Sequence, residues 1–163
     1  MRSALILILL ASCLAACTPA QDDDYTLYLV RHAEKQADGS RDPALSEAGE
    51  LRSEKLAGWL EDKDIQDIWS SDYNRTRETA KFTQSRLGLE LSIYDPSDLK
   101  TLSETLLSNR KNALVVGHSN TTPELARLLC NCDIDDMGES EYDHMIEITV
   151  IDGQHQAKTL RQQ

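Results

Sequence analysis

Apolar, aromatic and β-branched residues run without a breaker from Tyr25 to Val30, then give way abruptly to Arg31-His32-Ala33-Glu34. A bounded run of this kind reads as a strand. Adjacent side chains on a strand point to opposite faces, so Arg31 and His32 can share one site only if the chain has already left the sheet. A polar loop follows from Gln36 to Ala44, with Asp38-Gly39 and Pro43 as turn signals. Ser46 then suits the N-cap of a helix whose Glu47 and Glu50 favour its positive end. Ala48, Leu51, Leu56, Trp59 and Leu60 predict its buried face.

The same alternation continues down the chain. Ile65 to Ser70 predicts a second strand. Asp72 to Leu87 predicts a helix ended by Gly88, with Thr76, Thr79, Ala80, Thr83 and Leu87 facing inward. Leu89 to Tyr94 predicts a third strand, stopped by Asp95-Pro96. Asp98 suits the cap of a helix that buries Leu99, Leu102 and Leu106. Ala113 to Val116 is short and wholly apolar, as a central parallel strand should be. Gly117-His118-Ser119-Asn120 leaves it, and Thr122 is placed to cap a helix with Pro123 at its first position. Met145 to Ile151 predicts a fifth strand, and Asp152-Gly153 a hairpin into a short last one. Strands alternating with helices predict an α/β fold, a mostly parallel sheet covered on both faces, with an antiparallel edge strand.

The start of the chain follows another logic. Met1-Arg2-Ser3 is basic, Ala4 to Leu10 is apolar, and the run is far shorter than the ~20 residues that span a bilayer. It reads as a secretory signal. Leu14-Ala15-Ala16-Cys17 resembles the lipobox of bacterial lipoproteins, where cleavage precedes a cysteine that takes lipid. An ordinary signal peptide cut after Ala16 is the plainer alternative. The expected organisation is a signal peptide over 1–16, a tether over 17–24 and one domain over 25–163. The resemblance implies membrane attachment through lipidated Cys17 in the bacterial cell envelope. Thr18 rather than Asp after the cysteine leans that expectation towards the outer membrane, facing the periplasm.

Composition narrows the function. Of 163 residues, 40% are hydrophobic, enough for one core, and the formal net charge is −11. That balance argues against a generic nucleic-acid partner, which needs a basic face. A few arginines can still form a positive pocket on an acidic surface. Cys130 and Cys132 form a C-x-C pair at a helix end. With no second Cys/His cluster they make no zinc site, and their redox state is open.

Three loops that follow strands carry residues suited to phosphate chemistry: Arg31-His32, the stretch Ser70 to Ala80 with Arg75, and His118. In a doubly wound sheet, loops at the carboxyl ends of strands converge on one crevice. His144 and His155 lie elsewhere and read as surface residues. Leu29-Val30-Arg31-His32-Ala33-Glu34, Leu45-Ser46-Glu47-Ala48-Gly49, Ser70 to Ala80 and Val115-Val116-Gly117-His118-Ser119-Asn120 together resemble the histidine phosphatase superfamily, in its order. That superfamily includes the phosphoglycerate mutases, and the chain looks more like its small phosphatases.

The resemblance implies a three-layer α/β/α sandwich. It also implies that His32 is the phosphorylated nucleophile and that Arg31, Arg75 and His118 bind the phosphoryl group. The expected activity is hydrolysis of a phosphomonoester or phosphoprotein through phosphohistidine, as a phosphoric monoester hydrolase with no cofactor and no metal. Arginine forks match phosphate oxygens, and a neutral imidazole is a competent nucleophile near pH 7. Asp95 is the first candidate for the general acid, with Asp98, Glu34 and Glu124 as alternatives.

Other chemistries fit less well. The G-x-S-x-G elbow of serine hydrolases would need glycine at 121 and finds Thr121. A metal hydrolase could draw on His32, Glu34 and His118, but the chain has no H-E-x-x-H pair. A lipid-anchored module that binds phosphate without turnover, or a decayed phosphatase, is the non-enzymatic alternative.

Overall fold

The computed structural model describes residues 24–162. The predicted signal, the lipobox with Cys17 and most of the tether lie outside the described residues. Six strands and four helices alternate: β1 (Tyr25–Arg31), α1 (Glu47–Leu60), β2 (Asp67–Ser71), α2 (Asn74–Leu87), β3 (Leu91–Tyr94), α3 (Leu99–Asn109), β4 (Ala113–Gly117), α4 (Thr121–Cys130), β5 (His144–Ile151) and β6 (Gln154–Arg161). One sheet holds all six strands in the order β3-β2-β4-β1-β5-β6. The first four of these are mutually parallel, and β5 runs antiparallel to both of its neighbours, β1 and β6. The fold is the expected α/β sandwich, with the expected β5–β6 hairpin at one edge.

Alternation along the strands divides the interior into two halves. Leu27, Leu29, Ala113, Val115, Ile146 and Ile148 pack on one face against Leu99, Leu102 and Leu106 of α3 and Leu125 and Leu129 of α4. Tyr28, Val30, Ile68, Leu114 and Val116 pack on the other against Leu56 and Leu60 of α1 and Ala80 of α2. Strand β4 is buried at all five positions, as its unbroken apolar run requires. Asp152 and Gly153 both take positive φ, at 51° and 72°, which gives the β5–β6 hairpin its tight turn.

Several predicted boundaries and faces change. Ala48, Leu51 and Trp59 of α1 face solvent. The buried face is Gly49, Ser53, Leu56, Ala57 and Leu60. Ser53 tolerates burial because its hydroxyl donates to the Gly49 carbonyl at 2.8 Å. Trp59 instead lays its ring edge-on against Tyr28, 5.3 Å between centroids. Helix α4 begins at Thr121, after Asn120. Thr122 does not cap it but donates its hydroxyl to Val30 O at 3.3 Å. Pro123 is therefore the third helical residue, where an N–H would still lack an intrahelical partner. His144 and His155 are half-buried, with His144 Nε2 3.5 Å from Glu141 Oε1 and His155 Nδ1–H donating to Leu129 O. Strand β6 is as long as β5. Cys130 and Cys132 are joined as a disulfide at the end of α4.

Ser46 caps α1 as predicted, accepting from Gly49 N–H at 3.3 Å. The helix start is also pinned to the loop after β1, because Ser46 N–H donates to Glu34 O at 2.9 Å. A Cβ on Gly49 would lie 2.1 Å from that same carbonyl oxygen. Gly49→Ala should therefore destabilise the protein by about 2–3 kcal/mol, the range of an overpacked contact against backbone. At Gly58 on the same helix an added Cβ meets only the flexible tip of Arg86, at 3.3 Å. Gly58→Ala should stabilise, by up to ~1 kcal/mol of helix propensity. Urea unfolding midpoints of the two variants should move in opposite directions.

Candidate active site

The carboxyl ends of β1, β2 and β4 meet at one cavity of about 440 Å³, lined by Arg31, His32, Tyr73, Arg75, His118 and Glu139 among others. All four residues assigned to phosphate chemistry on the sequence are thus brought together. Their delivery differs from expectation in one respect. Arg31 has not left the sheet: it is the last residue of β1 and pairs with Gly117 of β4. His32 is the residue that leaves, its N–H still donating to Gly117 O at 2.9 Å. The two side chains share a site because the strand ends between them.

His32 is buried, with only 4% exposure. Its Nδ1–H donates to Ala33 O at 2.8 Å, so the ring is held as the tautomer whose Nε2 carries the lone pair. Burial, together with Arg31, Arg75 and His118, pushes its pKa down to about 4. His118 is brought down to about 4 as well, by burial and then by Arg75 and Arg31. The rings stand edge to face, 5.5 Å between centroids. Ser71 Oγ donates to Thr76 Oγ1 at 3.2 Å and so is free to accept from His118 Nε2–H at 2.9 Å.

The arginines are held by different means. Arg31 is 2% exposed and runs beneath the segment between α4 and β5. Its Nη1 donates to Gly138 O at 3.0 Å and Glu139 O at 2.7 Å, and its Nη2 to the Glu139 carboxylate at 3.2 Å. The Tyr142 ring lies 4.2 Å from its guanidinium carbon. Arg31 Nε is buried without a hydrogen-bond partner. Arg75 sits in the first turn of α2, stacked 4.4 Å over Tyr73 and 3.4 Å from Asp42. Asp42 also accepts from Asn74 N–H at 2.9 Å, so one loop carboxylate both caps α2 and steadies Arg75.

The rest of the Ser70–Ala80 stretch is scaffolding. Thr79 accepts from Ala33 N–H at 3.0 Å and donates to Arg75 O at 2.7 Å, tying the strand end to the helix. Glu78 accepts from Leu45 N–H at 2.6 Å. Gly117 has no positive φ. Its constraint is space, since a Cβ there would lie within 3.0 Å of the hydroxyls of Tyr94, Thr121 and Thr122.

The acid candidates are elsewhere. Asp95 does not line the cavity: its carboxylate accepts from Ser97 N–H at 2.9 Å and Ser97 O–H at 2.7 Å. Those two bonds hold its pKa below the ordinary carboxylate value, so it carries no proton to give near neutrality. Asp98 is spent on capping α3. Glu34 forms a forked ion pair with Arg52, at 2.6–3.1 Å, and does not line the cavity. Glu124 is exposed on α4 and does not line the cavity. The one carboxylate that does is Glu139, in a polar segment whose sequence has no periodicity or motif to mark it. Tyr142, against Arg31, was equally silent in the sequence, whereas Tyr73, against Arg75, lay within the Ser70 to Ala80 stretch without a role of its own. Among the described residues no group of three His, Cys, Asp or Glu is arranged to hold a metal ion.

The two depressed histidines set an acid limit. Both are neutral in the native state above about pH 4 but protonate near 6.5 in an unfolded chain. Between those values the unfolded state binds more protons, so stability is full above pH 6.5 and falls as pH drops towards 4. Urea midpoints measured from pH 7.5 to 4.5 should decline across that window. NMR titration should show both rings still neutral at pH 5.5.

The chain resembles known proteins in part of its sequence and in its fold. Residues 27–96 match the model of the histidine phosphatase superfamily (branch 1). A protein of Erwinia tasmaniensis named "Probable phosphoglycerate mutase GpmB" is 33% identical over 91 residues, 52% of this chain and 41% of its own length. The namesake of Yersinia pestis is 34% identical over 90 residues, with the same coverage. The match thus spans about two fifths of the length of these curated relatives. Among solved structures, the protein histidine phosphatase SixA complexed with tungstate superposes with a TM-score of 0.68 at 18% identity, covering 83% of this chain and 96% of that one. A mycobacterial glucosyl-3-phosphoglycerate phosphatase complexed with VO3 gives 0.64 at 15% identity, covering 82% and 96%. Residues 27–96 carry the sequence pattern of the histidine phosphatase superfamily, and the described domain shares the fold of these two solved phosphatases.

Proposed function

We propose that this protein is a phosphatase that works through a phosphohistidine at His32. The observation that carries the reading is the His32 Nδ1–H···O=C bond to Ala33, which leaves Nε2 unprotonated in a cavity walled by two arginines. Phosphoryl transfer asks for an in-line nucleophile and for neutralisation of the equatorial oxygens. The Nε2 lone pair attacks phosphorus as the bond from phosphorus to the leaving group breaks, while Arg31 and Arg75 hold the oxygens. His118 gains a reason to protonate once a dianion offsets the arginine charges. Water then attacks the phosphohistidine. Hydrolysis is favoured over retention of the phosphoryl group because the cavity is open to solvent at a rim where Glu139 is 87% exposed.

The substrate class follows from the missing acid. With Asp95 facing Ser97, leaving groups that depart without strong proton donation suit the site best. Those include aryl phosphates and the phosphoryl-imidazole of a phosphohistidine-bearing protein. The SixA structure that shares the fold is described as a protein histidine phosphatase, which supports that class. We also propose that the chain is anchored through a lipid on Cys17, on the strength of the Leu14-Ala15-Ala16-Cys17 sequence.

Three measurements test these readings. His32→Ala should abolish both turnover of p-nitrophenyl phosphate and an acid-labile phosphoenzyme label; full activity in that variant would overturn the nucleophile. Because arginines supply the charge neutralisation, chelation should leave the rate unchanged, whereas a loss restored by Mg²⁺ or Zn²⁺ would point to metal chemistry. Mass analysis of the mature N-terminus should find a lipid-bearing Cys17, and an unmodified chain cut elsewhere would remove the anchor.

A further inference from the structure

Glu139 lies where a phosphatase has least use for a negative charge. Its Oε2 is 3.2 Å from Arg31 Nη2, and its Oε1 accepts from Ser119 O–H at 2.6 Å. Its backbone carbonyl is bound by the same arginine at 2.7 Å. Three anchors therefore fix its position, and two of them do not involve Arg31 Nη2. A phosphoryl group that takes Nη2 for itself would leave the carboxylate held by Ser119, still at the cavity wall. The Ser119 bond and the field of Arg31 keep it ionised, below the ordinary glutamate range. An ionised carboxylate cannot serve as the proton donor, so its place needs another account.

The remaining charges of the wall define that account. Arg31, Arg75 and Lys35 are the cations lining the cavity, and Glu139 is the one acid. A phosphoryl dianion is met by the two arginines. What projects beyond it, the leaving group, passes the rim where Glu139 is exposed. A second negative charge on the leaving group meets repulsion there, and a positive charge meets attraction. We propose that Glu139 is a specificity-determining residue that disfavours phosphorylated compounds with an anionic leaving group and favours those with a cationic one. The proposal rests on the phosphatase reading of the same site but makes its own claim about selectivity. The effect should be several-fold rather than thousand-fold, because an exposed charge is screened by water and salt.

The test compares 3-phosphoglycerate, whose leaving group carries a carboxylate, with O-phosphoethanolamine, whose leaving group carries an ammonium. In the purified full chain, Glu139→Gln should shift the ratio of kcat/KM for the two by about tenfold towards 3-phosphoglycerate. The shift should shrink markedly in 0.5 M NaCl. Equal changes for both substrates would show that Glu139 merely competes with the phosphoryl group for Arg31, and would overturn the proposal. A shift that persists in high salt would assign the discrimination to shape, and would overturn it too. Turnover of p-nitrophenyl phosphate tests the phosphatase reading separately; if the parent protein turns over neither alkyl phosphate, the same ratio is read from dissociation constants by calorimetry. A tenfold shift in binding ratio upholds the selectivity of Glu139 without turnover. No shift, or no binding of either compound, ends it.

Discussion

The ladder between β1 and β4 ends on the hydrogen bond from His32 N–H to Gly117 O, and the site depends on where that ladder stops. Two parallel strands paired in register finish at the same level, so the residues that follow them emerge side by side. His32 follows one and His118 the other. One residue's slip in that pairing would turn every side chain of β1 to the opposite face and separate the two rings. The register is fixed from both sides, by Leu27 and Leu29 packing towards α3 and α4 and by Tyr28 and Val30 packing towards α1 and α2. Core packing and placement of the two rings are thus one requirement.

Electrostatics at the end of that ladder is a matter of contrast. The chain has 28 acidic residues against 17 lysines and arginines, yet the cavity wall carries three cations and one acid. Buried His32 and half-buried His118, both facing arginines in that wall, stay neutral near pH 7. Arg31 is tolerated at full burial because backbone carbonyls of the α4–β5 segment and the Tyr142 face surround it. Arg75 is less buried and leans on Tyr73 and Asp42. The cavity thus keeps its charge through groups drawn from four separate parts of the chain.

Much of this was legible in the residue pattern, and the failures are instructive. The short apolar strands and the histidines that leave them are visible because burial on both faces demands an unbroken apolar run. The inner face of α1 was misread because Leu51 and Trp59 are apolar in kind, whereas Gly49 and Ser53 are buried for reasons of space and hydrogen bonding. Asp95 looked available because it ends a strand, but a serine two residues on captures its carboxylate. Glu139 and Tyr142 come from a stretch without periodicity, and only the folded backbone carries them to Arg31. Contacts between residues 107 or 108 positions apart leave no local trace in a sequence.

The direction of β1 has one more consequence. The strand enters the sheet at Tyr25 and delivers His32 from its other end, after about 20 Å of extended chain at ~3.3 Å per residue. Whatever precedes Tyr25 therefore joins the domain at the pole opposite the cavity mouth. A body held by that end, on any support, presents its mouth outward and keeps the full depth of the sheet between the support and an arriving substrate.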